Sequence, residues 1–376
     1  MGGWIAIIGD SSFLWYCDGC CLYDTRKWVC VAITILRITQ PPLARVADVP
    51  YNHEKGDACH HTKEDYTMAF LKLLESLRTP AGEWLAGVIT LLGEETFFTV
   101  LGLIIVWCCN KKWGFRFLLT GLTGTAVNQL LKAIFLVPRP WILDPEFTIV
   151  ESARAGATGY SFPSGHTQSA ATVFGVLALW ARKKWVTVCC VLAVLLVGFS
   201  RMYLGVHTPL DFGVSLGTGL ITVLGLYRLF QWAEGSLRRQ AYLGGGISLF
   251  VLALVLYVTL VPERSGSDPL FDAHGVDAAW KLLGSTLGIV IAWLVDGRWL
   301  HFDTGAVWWA QVCKLALGLA LVLGIRVGLK PLLGALVGDA AWAGGVRYLL
   351  MTLVGGILWP MTFGFWGRLG RRQERA

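Results

Sequence analysis

Charged residues are scarce in this chain. They make up 15% of its 376 residues, against about a quarter in soluble domains, while 55% are hydrophobic. Mean hydropathy is +0.57. That balance, with apolar runs of spanning length, argues against a soluble fold and for an all-α polytopic membrane protein. Long basic tracts are also missing. The formal charge of +7 is spread in short clusters between apolar runs, so it carries topology information and no nucleic-acid partner is expected. Paired CxxC and HxxxH spacings are absent. Cys17, Cys20, Cys21, Cys30 and Cys59, with His53, His60 and His61, therefore form no recognisable zinc motif, and no metal or other cofactor is expected. Cys108, Cys109, Cys189, Cys190 and Cys313 lie in or beside apolar runs and read as small buried residues. The chain start shows no basic, apolar and small-residue pattern of a signal peptide.

Residues 1–67 are polar and irregular, and their longest apolar stretch, Val29 to Leu36, is too short to span a bilayer. They read as a disordered or over-extended start that activity does not need. Residues 68–81 form an amphipathic interfacial segment. After it come nine apolar helices, near 82–109, 115–137, 164–181, 185–204, 209–230, 241–261, 279–296, 306–329 and 345–367. They divide into a core of five to six helices (82–240) and a C-terminal module of open role (241–376). Basic clusters at Lys111, Lys112 and Arg116, at Arg182 to Lys184, and at Arg228, Arg238 and Arg239 mark one side as cytoplasmic. The opposite side then holds 138–163 and 204–208, and Trp84, Trp107, Trp180, Trp185, Trp232 and Trp280 suit aromatic belts at the span ends.

Three short segments converge on that outer side. Lys132 and Arg139 are two helical turns apart and project to one face as the second span ends. Lys132 lies inside an apolar run, where an ionisable side chain is costly and usually functional. Pro163, Ser164, Gly165 and His166 open the third span, where free N–H groups and the helix dipole favour an anion. Arg201 ends the fourth span, and His207 precedes the fifth, with Asp211 in the first turn to orient one imidazole nitrogen and leave the other as nucleophile. Cations, two histidines and a carboxylate suit gripping a phosphoryl group, attacking it and protonating what leaves. At a bilayer face the substrate is a lipid phosphate. Glu94 and Glu95, inside the first span, count back to the depth of Lys132 and are expected to pair with these cations or to orient Lys132. Lys281, Arg326, Lys330 and Arg347 map to the outer face, either neutralised by Glu263, Asp268, Asp272 and Asp277 or forming a second anionic headgroup site.

With Lys132, six residues, Arg139-Pro140, then Pro163 to His166, then Ser200-Arg201, His207 and Asp211, the chain resembles the type 2 phosphatidic acid phosphatase superfamily. The resemblance covers about 82–230. It implies a metal-independent phosphatase with a phosphohistidine on His207, His166 as acid and then base, and Lys132, Arg139, Ser164, Gly165 and Arg201 around the phosphate. The expected setting is a cell membrane with the site on the extracytoplasmic face. Undecaprenyl diphosphate is the first substrate expected, followed by phosphatidate, phosphatidylglycerol phosphate and sphingoid-base phosphates. A lipid-linked phosphotransferase is the alternative, since only the second nucleophile changes; a transporter or scaffold would be expected to have lost one of these groups.

Overall fold

The computed structural model describes residues 63–261, 269–338 and 340–369. The expectations for the first 62 residues, the Cys17–Cys59 group and its histidines included, lie outside the described residues, as do Glu263 and Asp268. Every regular element among the described residues is helical. We number them α1 (Lys63–Ser76), α2 (Pro80–Thr90), α3 (Glu95–Ile104), α4 (Lys111–Phe135), α5 (Pro140–Leu143), α6 (Gly165–Ala181), α7 (Lys184–Tyr203), α8 (Pro209–Ala233), α9 (Leu237–Leu260), α10 (Pro269–Val295), α11 (Trp308–Val337), α12 (Ala341–Leu353) and α13 (Phe363–Trp366).

Their starts follow from side chains at the caps. Thr79, Asn110, Ser164, Thr208 and Ser236 each accept from a backbone N–H two or three residues into the helix that follows. Thr208 and Asp211 complete a reciprocal capping box at α8, with Pro209 at its first position. Among the described residues six helices are long and apolar enough to cross a membrane, and the bent pair Pro80–Gly93 and Glu95–Cys109, taken as one span, makes a seventh. The remaining two expected spans exist as α4 and α6, packed inside the bundle, where polar side chains and a 17-residue length lower their apolar character.

Four expectations need correction. The first span is not continuous: it bends by 49° at Leu91–Glu94. Gly93 there presses on α6, since a Cβ would meet the His166 carbonyl oxygen at 2.7 Å, and Glu94 is extended. The second span stops at Phe135, where Leu136 takes a left-handed conformation (φ 52°), so Arg139 is not two helical turns along from Lys132. Trp107 belongs to no belt: it is fully buried and donates to the Gly355 carbonyl at 2.9 Å, joining the core to the C-terminal helices. Of the described cysteines only Cys190 is buried, because lipid accepts an outward-facing small apolar side chain as readily as a core does.

Helix α1 begins five residues ahead of Met68, buries Leu71 and Leu74, and exposes Leu73, with Leu77 exposed in the turn after it. It is tied to the loop before α6 by Lys72–Asp144 (2.8 Å) and by Glu75, which accepts from the Thr148 N–H at 3.0 Å. In the C-terminal module, α10 and α12 approach through glycines. A Cβ on Gly284 would lie 1.9 Å from the Gly345 oxygen, and one on Gly288 would lie 1.8 Å from Thr352 Oγ1.

Candidate active site

The loops following α4 and α7 and the starts of α6 and α8 meet at one end of the bundle, around a cavity of about 340 Å³. Lys132, Arg139, Gly165, His166, His207, Glu94 and Glu95 all line it. The three segments picked out in the sequence meet at this cavity. They converge because the chain turns at the left-handed Leu136 before Arg139, the cap at Ser164 opens α6 at the cavity wall, and His207 stands just ahead of α8.

His207 is the centre of the arrangement. Its Nδ1–H donates to Asp211 Oδ2 at 3.1 Å, which leaves the Nε2 lone pair to accept from Arg139 Nη1 at 3.1 Å. The other donors to Asp211 Oδ2 are the Ser161 hydroxyl at 2.5 Å and the Thr208 N–H at 2.9 Å. Asp211 is thus both a helix cap and the orienting carboxylate, roles that are not alternatives here. Burial first, and then Arg139, Arg201 and Lys132, push the His207 imidazole well below its ordinary range, so it is neutral at physiological pH.

The cations are held mostly by carbonyls, which leave their charge uncompensated. Arg139 donates to the oxygens of Gly159 (2.9 Å), Val206 (2.9 Å) and Thr158 (3.0 Å). Burial pulls it down to about 10, with Asp211 opposing, so it stays charged. Lys132 donates to the Tyr160 and Ser161 carbonyls. Arg201 is buried and donates from Nη1 to Thr90 Oγ1 at 3.1 Å, while its Nε and Nη2 have no hydrogen-bond partner among the described residues. Two orphaned guanidinium donors in a protein interior are costly unless a ligand accepts from them.

At the start of α6, Ser164 is fully buried and its Oγ accepts from the Thr167 hydroxyl at 2.9 Å and N–H at 3.4 Å, so its own O–H remains to donate. A Cβ on Gly165 would meet nothing closer than Asn128 Oδ1 at 3.6 Å; packing does not demand the glycine, and what it leaves open is the cavity. His166 is half-buried on the cavity wall. Glu94 is half-buried and Glu95 exposed, both on the same wall. Among the described residues no ion pair joins either to Lys132, Arg139 or Arg201. No group of three or more metal-ligating side chains occurs among the described residues.

Sequence reasoning missed the supporting residues. Asn128 donates to the Pro163 carbonyl at 3.2 Å and to Gln168 Oε1 at 3.1 Å, and Gln168 donates to the Gly124 carbonyl at 2.9 Å, which fixes α6 on α4. Ser215 donates to the Ser164 and Asp211 carbonyls, at 2.9 and 2.6 Å, tying the starts of α6 and α8 together. Polar side chains on an apolar helix were the available signal for Asn128 and Gln168; Ser161 and Thr90 carried none. In the C-terminal module Lys281 pairs with Asp277 and the Arg347 guanidinium lies 5.5 Å from the Tyr348 ring, while Arg326 and Lys330 sit on the exposed face of α11. The neutralising reading therefore describes Lys281.

Residues 113–234 match the PAP2 superfamily, and residues 280–371 match the PAP2 superfamily phosphatase transmembrane extension. A probable sphingosine-1-phosphate phosphatase of Dictyostelium discoideum is 25% identical over 243 residues, covering 61% of this chain and 56% of that protein. Phosphatidylglycerophosphatase B of Bacillus subtilis is 35% identical over 146 residues, covering 34% of this chain and 66% of that protein. The chain thus spans between about half and two thirds of the length of these relatives. The crystal structure of a transmembrane PAP2-type phosphatidylglycerolphosphate phosphatase from Bacillus subtilis aligns with a TM-score of 0.43 at 24% identity, over 56% of this chain and all of that one.

Proposed function

We propose that this chain, which carries a PAP2 superfamily domain with its transmembrane extension, hydrolyses the phosphate of a membrane lipid through a phosphohistidine. The observation that carries the reading is His207, neutral, oriented by Asp211, with Nε2 facing the cation cluster. In the first step Nε2 forms a bond to phosphorus as the bond from phosphorus to the lipid oxygen breaks, and His166 gives that oxygen its proton. In the second, His166 takes a proton from water, the water oxygen bonds to phosphorus and the N–P bond breaks. Lys132, Arg139, Arg201, the Ser164 hydroxyl and the N–H groups at Gly165 and His166 hold the three equatorial oxygens. These groups supply the charge that a divalent ion brings to other phosphoryl-transfer sites, so we expect activity in EDTA.

On the positive-inside count the cavity opens to the extracytoplasmic face of a cell membrane. Undecaprenyl diphosphate, phosphatidylglycerol phosphate, phosphatidate and sphingoid-base phosphates are the substrates to try. The test is phosphate release from these lipids by purified protein in EDTA, with trapping of an acid-labile, base-stable phosphoprotein. His207→Ala should abolish both. Release that persists in His207→Ala sinks the mechanism; no release from any lipid sinks the activity.

A further inference from the structure

Glu94 and Glu95 line the catalytic cavity, yet the mechanism gives them no part. They lie at the break in the first span, ahead of the PAP2 domain match at 113–234. The break is held close to the reacting groups. Thr90, four residues before Glu94, accepts from Arg201 Nη1 at 3.1 Å, and a Cβ on Gly93 would meet the His166 carbonyl oxygen at 2.7 Å and Val197 Cγ1 at 2.9 Å. Glu94 stands at the N-cap of α3 in an extended conformation, but its side chain makes no capping hydrogen bond. Glu95, exposed in the first turn, suits the dipole of α3. Among the described residues neither carboxylate has an ion-pair partner.

Carboxylates on the wall of an anion cavity weaken what the cavity binds. The histidines aside, the charges here are Lys132, Arg139 and Arg201 against Asp211, Glu94 and Glu95, an even count. The nearest other charges are engaged. Arg154 pairs with Glu151, and Lys281 pairs with Asp277 in the neighbouring cavity that shares Lys132, where Asp272 has a partner as well. With the two glutamates neutral, the cations would outnumber the carboxylates, and a doubly charged phosphate would be held after the reaction as firmly as before it. A lipid phosphate is kept at the site by its chain in the bilayer, whereas inorganic phosphate has only its charge. The same repulsion acts on both, but the bilayer sustains the occupancy of the substrate and not that of the product.

We infer that Glu94, helped by Glu95, sets the phosphate affinity of this site low enough for inorganic phosphate to leave after each turnover. Glu94 acts through its field on the bound anion, without touching a reacting atom. Its half-buried carboxylate is less screened than that of the exposed Glu95, so Glu94 carries the larger share. The inference rests on the phosphatase reading above and adds the step that follows hydrolysis.

The experiment measures binding of inorganic phosphate to the purified full chain by calorimetry in detergent at low salt, for the unaltered protein, Glu94→Gln and Glu95→Gln. Beside it, KM, kcat and inhibition by phosphate are measured on lipid phosphates in mixed micelles. Glu94→Gln should tighten phosphate binding and lower its inhibition constant about tenfold, and Glu95→Gln about threefold, the second effect vanishing at high salt. KM should fall with them and kcat should not rise, because binding gained alike by substrate and product adds nothing to the chemical step. Glu95→Gln serves alone if Glu94→Gln does not fold. Phosphate affinity unchanged in the variants overturns the inference and leaves the glutamates a role at the helix start only. Weaker phosphate binding in Glu94→Gln overturns it too, as the mark of a carboxylate that orients Arg201 or Lys132. If the unaltered protein turns over no lipid, the phosphatase reading falls and product release with it; failure of the binding result alone overturns only the role of the glutamates.

Discussion

The half of the bundle that holds the cavity and the half formed by α10 to α12 are built on opposite principles. In the first, buried polar side chains are numerous and most are chained together: Ser161 to Asp211 to His207 to Arg139, and Asn128 to Gln168 to the α4 backbone. Among the described residues Arg201 stands out, with two buried donors that have no hydrogen-bond partner. In the second, helices meet through absent side chains, at Gly284, Gly288 and Gly345, and the Cβ atoms that would clash are simply not there. Polar networks hold reacting groups to a fraction of an ångström; glycine contacts hold helices together and leave chemistry to others. The comparison teaches where damage should appear. Changes to the polar network of the first half should remove turnover from a protein that still folds, and changes at the glycine contacts of the second should remove folded protein that still turns over.

The sharpest test of the first half is His207→Gln. Phosphate release should fall by at least about a thousandfold, because no other group can attack phosphorus, while thermal unfolding in detergent stays within a few degrees. Arg201→Gln should follow, with kcat down by about a hundredfold, the cost of losing one preorganised donor set at the developing charge. Ser161→Ala removes one of the donors to Asp211 and should cost about tenfold in kcat, with Ser161→Thr restoring most of it. Gly284→Val crosses to the other half: it should cost about 1–3 kcal/mol of stability by overpacking against α12, while kcat per folded molecule is unchanged. Unchanged stability in that variant would erase the contrast between the halves.

The smallest effect is a pH dependence. The unfolded His207 imidazole takes up a proton near its ordinary value of 6.5, and the folded one only well below it. Between those values the unfolded chain binds more protons, so this group's contribution to stability is present above 6.5 and is lost as pH falls toward the folded value. At pH 5.5 the loss is about 1.4 kcal/mol. Unfolding temperatures at pH 7.5 and 5.5 should therefore drop less in His207→Gln than in the unaltered protein.

The candidate site was legible because its polar side chains sit where apolar sequence makes them conspicuous. Lys132 in a hydrophobic run, His207 with Asp211 four residues on, and Ser164 before a helix each announce themselves singly. What stayed hidden acts through another residue or through geometry. Ser161 is one serine among many until Asp211 folds against it. The bend at Gly93 lies in a stretch that reads as unbroken because glycine in an apolar run is usual in a membrane helix. The end of α4 at Phe135 was placed two residues late, since nothing in Leu136 signals a left-handed backbone. Trp107 reads as an interface residue from its place near a span end; only the partner at Gly355 makes it core. In the C-terminal module the helices were legible from hydropathy, but their closeness depends on which glycines face each other, and register is not written in one helix alone.

Tyr160 lies edge-on to the ring of Phe271 at 5.3 Å between centroids, while its carbonyl takes the Lys132 ammonium. Lys132 is thus positioned from two sides, by its own helix and by the first turn of α10. The lean of a membrane helix is set in part by how its apolar length matches the hydrocarbon thickness around it. Through one aromatic contact and one carbonyl, the lean of α10 bears on where the Lys132 ammonium stands.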